Sequence, residues 1–273
     1  RVRRKARMSI KVTPMGNSRI LSVGTYRPKR VVPNSEIVER IESTDEWIQQ
    51  RTGIESRRFA GDDETVISMA KAACEMALQR AKLTMTDIDT VILATISYPF
   101  QAPSASTELI NELGNPKAAA FDISAACAGF CYGVAMGSDL VRSGTSRNVL
   151  VIGVEKLSDY TDPDDRATAF IFADGAGAVI IGQSDQPRIG QTIWGSDADS
   201  RDAITLTPSF LDYKNNPDKG VGELGWPNIS QQGQVVFRWA VYSMSKVGLQ
   251  ALEAAGVSVD ELGAFIPHQA NVR

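Results

Sequence analysis

Two residue types that cooperate in nucleophilic catalysis, cysteine and histidine, stand at comparable places in this sequence. Cys127 follows a small, apolar segment, residues 118–123, within the run Ser-Ala-Ala-Cys-Ala-Gly-Phe. Small residues allow a helix to begin deep inside a packed sheet, so we expect Cys127 near a helix N-terminus. The free backbone N–H groups and helix dipole there favour the nucleophilic thiolate. The alternative is an inert core thiol, the usual state of an isolated cysteine in an apolar stretch.

The single histidine of the chain, His268, is the candidate partner of this cysteine. It lies in Phe-Ile-Pro-His-Gln-Ala-Asn, residues 265–271, where a short apolar strand is predicted to stop in polar residues. A lone histidine is more often a satisfied surface or core residue than a catalyst. One cysteine and one histidine, each after a predicted buried strand, nevertheless form a pair suited to nucleophilic catalysis.

Composition limits the classes of protein to consider. With 273 residues, 43% hydrophobic and 22% charged, the chain can bury a large core as one large domain or two closely packed ones. The net charge of −3 offers no electrostatic basis for binding nucleic acid, and no apolar run is long enough to span a bilayer. The cysteines, Cys74, Cys127 and Cys131, have neither zinc-site nor disulfide-framework spacing. We therefore predict a soluble, cytoplasmic protein without a metal, a nucleic-acid partner or a membrane partner.

The beginning of the sequence differs in composition from the rest. Five of the first seven residues are positively charged, and no apolar segment typical of a secretory signal follows them. We expect residues 1–15 to be a disordered leader rather than a targeting segment.

Hydrophobic periodicity predicts the elements that position the candidate residues. Apolar and β-branched runs predict strands at residues 19–26, 90–96 and 148–154. Apolar residues at helical spacing predict helices at residues 65–81 and 234–255. Residues 169–183 are interpreted as two strands joined by a glycine-rich turn.

Part of this pattern occurs twice. Eight positions between Ala77 and Ile92 are matched, at a constant offset of 174, by positions between Ala251 and Ile266. Helix, linker and strand are all repeated, which predicts a duplicated α/β half-domain. We expect an N-terminal half at residues 16–183, which carries Cys127, and an incomplete C-terminal half at residues 184–273, which carries His268.

Trp47 and Arg51 lie one turn apart on a helix whose N-cap is predicted at residues 43–45. Spacing alone favours a half-buried aromatic ring beside a solvated base. The alternative is a platform and a cation for a nucleotide base and its phosphates.

Four motifs together resemble the ketoacyl synthase III enzymes (beta-ketoacyl-acyl-carrier-protein synthase III) of the thiolase superfamily. They are Asp-Ile-Ser-Ala-Ala-Cys-Ala-Gly-Phe (122–130), Ala-Asp-Gly-Ala-Gly-Ala (173–178), Ser-Thr-Asp-Glu-Trp-Ile followed by Arg-Thr-Gly-Ile (43–54), and Pro-His-Gln-Ala-Asn (267–271). The resemblance extends from about residue 19 to residue 273. It implies two similar α/β halves packed in α-β-α-β-α layers, with the second half incomplete, and a homodimer.

The resemblance also implies an activity, the step that initiates fatty acid biosynthesis. Cys127 attacks an acyl-CoA and holds the acyl group. His268 then assists the decarboxylation of malonyl-acyl-carrier-protein, and the resulting carbanion attacks the acyl-cysteine. CoA enters as part of the substrate, so no permanently bound cofactor is expected. The catalytic asparagine of the family would follow residue 273.

Further residues receive roles through the same resemblance. Residues matching Trp47, Arg51 and Arg166 hold CoA, and Asn271 supports the geometry of the histidine motif. Arg238 and Arg273 match basic positions that receive the carrier protein; for each alone, a solvated surface charge is the alternative.

Residues 97–104 resemble the loop that closes the far end of the acyl pocket in the dimer. Ala102 takes the position of the stopper, and Phe100 can enter the same space. A small stopper leaves room for acyl donors longer than acetyl.

Two other functions compete with this interpretation. One is a related condensing enzyme of polyketide or other secondary metabolism, which transfers the acyl group to another acceptor. The other is a non-catalytic, truncated homologue that binds CoA or a partner subunit, against which the presence of both Cys127 and His268 argues.

Overall fold

The computed structural model describes residues 15–270, so most of the predicted leader, as well as Asn271 and Arg273, lies outside the described residues. In chain order the strands are β1 (Asn17–Tyr26), β2 (Arg30–Pro33), β3 (Ser56–Phe59), β4 (Thr90–Ala94), β5 (Ala119–Ile123), β6 (Asn148–Lys156), β7 (Asp174–Ser184), β8 (Ile204–Thr207) and β9 (Asn228–Gln231). The helices are α1 (Asn34–Ile37), α2 (Asp45–Thr52), α3 (Val66–Ala81), α4 (Ala105–Glu112), α5 (Gly129–Arg142), α6 (Phe210–Asn215), α7 (Gly220–Leu224) and α8 (Gly233–Ala255).

A five-stranded sheet with the order β1-β7-β6-β4-β5 forms the centre of the fold. β4 pairs in parallel with β5 on one side and with β6 on the other. β7 is antiparallel to both β6 and β1. The sheet is therefore mixed, with its parallel strands grouped at the β5 edge.

Alternate residues of the central strands face opposite sides of the sheet, because successive side chains of a strand point to opposite faces. Val91 and Leu93 of β4 pack with α3 and α4, whereas Ile92 packs with α5. β6 and β7 divide in the same way, with Leu150, Ile152, Ala178 and Ile180 on the α3 side and Val149, Val151, Val179 and Ile181 on the α5 side. The sheet is thus enclosed by helices on both faces, which is why β4 is buried throughout.

α3 shows how the sequence defines a helix of this core. The Thr65 hydroxyl accepts from the backbone N–H of Ser68, and the Ser68 hydroxyl accepts from that of Thr65, which forms a capping box. The buried face includes Ala73, Ala77 and Cys74, which is a core residue as its apolar spacing predicts. These small side chains allow β1 to approach the helix closely.

A second, smaller cluster lies beside the sheet. It consists of residues from β2, α1, α2, the loop between these helices and the segment before β7, namely Val32, Ile37, Ile41, Ile48, Ala169 and Phe170. α2 begins after Thr44, whose hydroxyl accepts from the backbone N–H of Trp47, so the predicted N-cap is confirmed. The helix ends at Gly53, which has a positive φ of 72°.

The predicted mixed α/β class is confirmed. The predicted helices at 65–81 and 234–255 correspond to α3 and α8, and the predicted strands at 19–26, 90–96 and 148–154 correspond to β1, β4 and β6. No helix among residues 15–270 combines the length and the apolarity that crossing a membrane requires.

The interpretation of residues 169–183 as two strands is wrong. One strand, β7, begins at Asp174, and the residues before it form turns in which the backbone N–H of Ala169 donates to Asp165 and that of Ile171 to Thr168. Ala169 and Phe170 are buried in the cluster around α2 instead of in the sheet. Their apolar character therefore reflects this packing and not a strand.

The strand predicted just before His268 is also absent from the structure. Residues 262–270 contain neither helix nor strand, and Phe265 and Ile266 are 67% and 84% exposed. A strand needs a neighbour for its backbone hydrogen bonds, and in the described part of the chain none pairs with this segment.

The contact between β1 and α3 leads to a stability prediction. A Cβ atom at Gly24 would lie 2.0 Å from the backbone oxygen of Ala73, whereas one at Gly177, on the neighbouring strand, would meet nothing within 4 Å. Because backbone atoms cannot rotate away, Gly24→Ala should cost about 3 kcal/mol or more. Gly177→Ala should stay within about 0.5 kcal/mol of wild type. Thermal unfolding midpoints measure both, and equal midpoints would contradict the predicted contact.

Candidate active site

Cys127 lies at the turn between β5 and α5. The strand ends at Ile123, a short 3-10 helix covers Ala126–Ala128, and α5 follows directly at Gly129. Ala126, immediately before the cysteine, has a φ of 43°, a left-handed conformation that strains a residue with a side chain. Cys127 is thus found near a helix N-terminus, as its small neighbours predict.

Glycines allow α5 to start against the sheet. A Cβ atom at Gly129 would lie 2.9 Å from the Cβ of Ala94, the last residue of β4. One turn later, a Cβ at Gly133 would lie 2.7 Å from Cγ1 of Val151. Any larger residue would push the helix away, so these glycines hold Cys127 at the carboxyl end of the parallel strands, where sites of α/β sheets usually lie.

The electrostatics of Cys127 differ from the expectation of a lowered pKa. The protein packed around the sulfur desolvates it and raises the pKa of the thiol, and the negative charge of Glu155 raises it further. A hydrogen bond from the backbone N–H of Cys127 itself acts in the opposite direction without prevailing. Cys127 as a whole residue is nevertheless exposed to solvent. The desolvation of its sulfur therefore comes from neighbouring protein atoms and not from complete enclosure. The prediction of an acidic thiol is therefore wrong, because desolvation and the charge of Glu155 together outweigh the backbone N–H of Cys127.

His268 is exposed and lies in the irregular segment after α8. Within residues 15–270 its side chain forms no hydrogen bond, either to Cys127 or to any other residue. The predicted Cys/His pair is therefore not brought together by the described residues, and the role of His268 stays a prediction.

Trp47, Arg51 and Arg166 do come together. The guanidinium carbon of Arg51 lies 5.8 Å from the centre of the Trp47 ring, and that of Arg166 lies 5.2 Å from it. Phe170 contacts the same indole edge-on, with 5.6 Å between the ring centres. One half-buried aromatic ring is thus flanked by two cations from segments far apart in sequence, an arrangement suited to a planar base with attached phosphates.

The segment that carries Arg166 is held in place by an ion pair. Asp164, two residues earlier, accepts two hydrogen bonds of 2.8 Å from Arg40, in the loop between α1 and α2. Bidentate pairs of this kind restrict geometry as well as adding energy. Arg40 and Asp164 therefore connect the segment of Arg166 to the region that carries Trp47.

A buried arginine under the cluster was missed by the sequence reasoning. Arg57 is only 6% exposed and donates from Nη2 to Asn34 Oδ1 at 2.6 Å and to the Phe170 carbonyl oxygen at 3.2 Å. Asn34 in turn donates to Asp45 in the first turn of α2 at 2.6 Å. Burial lowers the pKa of Arg57, since desolvation disfavours its charge. Nothing in the local pattern distinguishes Arg57 from a surface arginine, because its partners are remote in sequence.

The predicted acyl-pocket residues lie between β4 and α4. Phe100 and Ala102 are both exposed, and Phe100 contacts Tyr98 edge-on with 5.6 Å between ring centres. The Tyr98 hydroxyl donates to Glu108 at 2.5 Å, which attaches this segment to α4. Tyr98 thereby fixes one side of the segment that is predicted to contact the acyl chain.

The predicted carrier-protein residue Arg238 lies on α8. It is exposed and, with Gln234, Phe237, Val241 and Tyr242, lines a shallow cavity of about 360 Å³. The second predicted docking residue, Arg273, lies outside the described residues, as does Asn271.

Solved structures share this architecture. The priming beta-ketosynthase of the R1128 polyketide biosynthetic pathway superposes with a TM-score of 0.92 at 42% identity, covering 97% of this chain and 78% of that one. The 3-oxoacyl-[acyl-carrier-protein] synthase III of Aquifex aeolicus gives a TM-score of 0.78 at 36% identity, covering 93% and 77%.

Sequence comparisons agree with the structural ones. The family model described as 3-oxoacyl-[acyl-carrier-protein (ACP)] synthase III matches residues 121–198, which include Cys127 and Arg166. Beta-ketoacyl-[acyl-carrier-protein] synthase III 1 of Streptomyces coelicolor is 52% identical over 261 residues, 94% of this chain and 76% of that protein. The Kocuria rhizophila synthase III is 47% identical over 277 residues, 95% and 78% of the two chains. The chain described above belongs to the 3-oxoacyl-acyl-carrier-protein synthase III family, also called beta-ketoacyl-acyl-carrier-protein synthase III.

Proposed function

We propose that this protein is an acyltransferase that condenses an acyl-CoA with malonyl-acyl-carrier-protein through an acyl-cysteine at Cys127, the first condensation of fatty acid biosynthesis. The observation that carries the proposal is the position of Cys127, on a strained turn at the start of α5, inside the segment that the family model matches. Relatives whose sequences are 52% and 47% identical to this chain are named for this activity.

The first half-reaction is a thioester exchange. The Cys127 sulfur attacks the carbonyl carbon of the acyl-CoA, the bond between that carbon and the CoA sulfur breaks, and the cysteine proton ends on the departing CoA thiol. Because desolvation raises the pKa of Cys127, the thiol form is favoured, and its proton must leave in the course of the attack. The exposed position of Cys127 allows an acyl-CoA to reach it.

The second half-reaction forms the carbon–carbon bond. Malonyl-acyl-carrier-protein loses carbon dioxide, and the electron pair of the broken carbon–carbon bond moves into an enolate. The enolate carbon attacks the acyl carbon of the acyl-cysteine, the bond from that carbon to the Cys127 sulfur breaks, and Cys127 leaves as a thiolate that takes up a proton. A carbanion equivalent would be protonated in water, so decarboxylation must take place beside the waiting electrophile, with hydrogen-bond donors aimed at the enolate oxygen. His268 is the proposed donor, and Asn271 is proposed to support it.

CoA recognition is proposed to use the cluster around Trp47. The indole offers a flat surface for the adenine, and Arg51 and Arg166 beside it offer cations for the phosphates. Because the Arg40–Asp164 ion pair and Arg57 hold this cluster together, the site is preorganised for the nucleotide end of the substrate.

The remaining predictions are part of the same proposal. We infer that Ala102 and Phe100 bound the acyl pocket, that Arg238 and Arg273 receive the acidic carrier protein, and that the protein acts as a cytoplasmic homodimer. We also infer that residues 16–183 and 184–273 correspond to the two thiolase-like halves. CoA takes part as a substrate component and not as a resident cofactor.

A second candidate function is the priming of a polyketide. It is favoured by the similarity to the R1128 priming ketosynthase, which has a TM-score of 0.92. Both functions need acylation of Cys127, and they differ in which carrier protein accepts the product and which acyl donors are used. Comparing condensation rates with fatty-acid and polyketide carrier proteins discriminates between them.

Acylation of Cys127 tests the proposal directly. Incubation with acetyl-CoA and longer acyl-CoAs should add one acyl group, which peptide mass spectrometry should locate on Cys127. Cys74 is fully buried with a raised pKa, so it should not react. Cys131, exposed one turn later on α5, provides the matched control: Cys131→Ala should still be acylated and Cys127→Ala should not. An acyl group on Cys131, or none on any cysteine, would contradict the proposal.

Separate half-reactions test His268. His268→Ala should still acylate Cys127 but release carbon dioxide from malonyl-acyl-carrier-protein about 10²–10³-fold more slowly, the usual cost of losing one donor to a developing oxyanion. Gln269→Ala, at the neighbouring exposed position, is the control and should retain both rates. Equal loss of both half-reactions in His268→Ala would instead indicate a general base for the thiol.

Truncated substrates test the CoA cluster. Trp47→Ala and Arg166→Gln should each raise the KM for acyl-CoA about tenfold with little change in kcat, since about 1.4 kcal/mol of ground-state binding is lost. The KM for acyl-pantetheine, which lacks the nucleotide, should not change. Arg147→Gln, at a surface arginine paired with Asp89, is the control and should leave both KM values unaltered. If the KM rises equally for both donors, the cluster does not bind the nucleotide.

A further inference from the structure

Glu155, near the end of β6, is a half-buried acid that the proposed mechanism does not use. Its Oε1 accepts from the backbone N–H of Ile96 at 2.9 Å, and its Oε2 accepts from that of Ser97 at 3.1 Å. The hydroxyls of Ser97 and Thr95 also donate to Oε2. Every one of these partners is a donor, which suits an ionised carboxylate because it can only accept.

The three residues held by Glu155 occupy a central place. They follow β4 directly, and the backbone N–H of Thr95 donates at 3.2 Å to the carbonyl of Ile123, the last residue of β5 before the turn of Cys127. Ser97, the last of the three, is also the first residue of the segment 97–104 that contains Phe100 and Ala102. The carboxylate therefore connects β6, the entry to the Cys127 turn and the predicted acyl-pocket segment.

We propose that Glu155 is a positioning residue that holds residues 95–97 in register with the end of β5 and thereby sets which acyl chains Cys127 accepts. The inference rests on the proposed function in that Cys127 must accept acyl groups from CoA. A carboxylate presents two acceptor atoms to this group of donors. A glutamine replaces one acceptor with an NH2 group, which would face a backbone N–H or a hydroxyl that also donates, so Glu155→Gln should shift the segment.

The charges around Glu155 allow a second readout. Burial raises the pKa of Glu155, and the hydrogen bonds from residues 95–97 oppose that rise. Lys156, the next residue, directs its ammonium group to the carbonyl of Gly61 at 3.2 Å, and Asp159 lies 3.8 Å from the same ammonium. Burial raises the pKa of Tyr160, and the negative charges of Asp159 and Glu155 raise it further. Among residues 15–270, Glu155 is the charged side chain that raises the pKa of Cys127.

The experiment compares wild type with Glu155→Gln and with the control Glu112→Gln, whose carboxylate pairs with Lys71 on the surface. Acylation rates of Cys127 are measured by mass spectrometry for acetyl-CoA through octanoyl-CoA. We expect the ratio between the best and the worst donor to change about fivefold or more in Glu155→Gln, a shift within the range that pocket geometry controls. Glu112→Gln should keep the wild-type ratio.

The pH dependence of alkylation provides the readout that a purely structural role would not move. Removal of a negative charge makes the thiolate less unfavourable, so the midpoint for iodoacetamide alkylation of Cys127 should fall to lower pH in Glu155→Gln. Cys131, read from the same digests, should keep its midpoint. Glu155→Asp keeps the charge, so it should retain more of the wild-type midpoint than Glu155→Gln does.

A folded Glu155→Gln with the wild-type donor profile would overturn the inference, whatever its alkylation midpoint. If Glu155→Gln does not fold, Ser97→Ala and Thr95→Val each remove one hydroxyl donor, and unchanged donor profiles in both folded variants would overturn it equally. If wild type accepts no acyl group from any donor, the proposed function fails. The alkylation midpoint then still decides whether Glu155 governs the surroundings of Cys127.

Discussion

Close packing of α5 against the central sheet is the contact on which the rest of the structure depends. No side chain separates the helix from β4 and β6 at Gly129 and Gly133, where a single added carbon would overlap Ala94 or Val151. The helix axis can therefore lie near the strands, and its first turn reaches the level at which the parallel strands end. Cys127 takes its position from this packing, directly after Ala126 with its positive φ of 43°.

Carboxylates at the ends of neighbouring strands organise the loops around that position. Asp122 of β5 accepts from the backbone N–H groups of Ala105 and Ser106 at the start of α4, at 2.7 and 2.9 Å. Asp174 of β7 accepts from Ala60 and Ser158, and Glu155 of β6 accepts from the residues after β4. Each acid satisfies backbone donors that the sheet leaves unpaired, so loops without regular structure gain defined geometry.

The cluster around Trp47 follows a different principle. Its members come from α2 and from the segment before β7, which are more than a hundred residues apart, and they are joined by a buried cation, Arg57, through the carbonyl of Phe170. Burying a charge is costly, and hydrogen bonds from Arg57 to Asn34 and to two carbonyl oxygens offset part of the lost hydration. The buried Nε of Arg57 has no partner among the described residues. The two exposed arginines can then remain beside the indole as cations for a ligand.

The sequence by itself determined the elements whose patterns are local. In each of these elements a pattern within one segment is enough to predict the structure. Examples are the apolar run of β4, the helical spacing of α3 and α8, the N-cap of α2 and the small residues before Cys127. The motifs also identified the family. Tertiary structure decided the features that depend on remote partners. The pKa of Cys127 is raised because protein packed around the thiol desolvates it and because the negative charge of Glu155, on β6, disfavours the thiolate. Phe170 packs beside Trp47 instead of joining a strand, and the segment before His268 has no strand to pair with in the described chain. Periodicity encodes which face of an element is apolar, but not which distant residue will cover it.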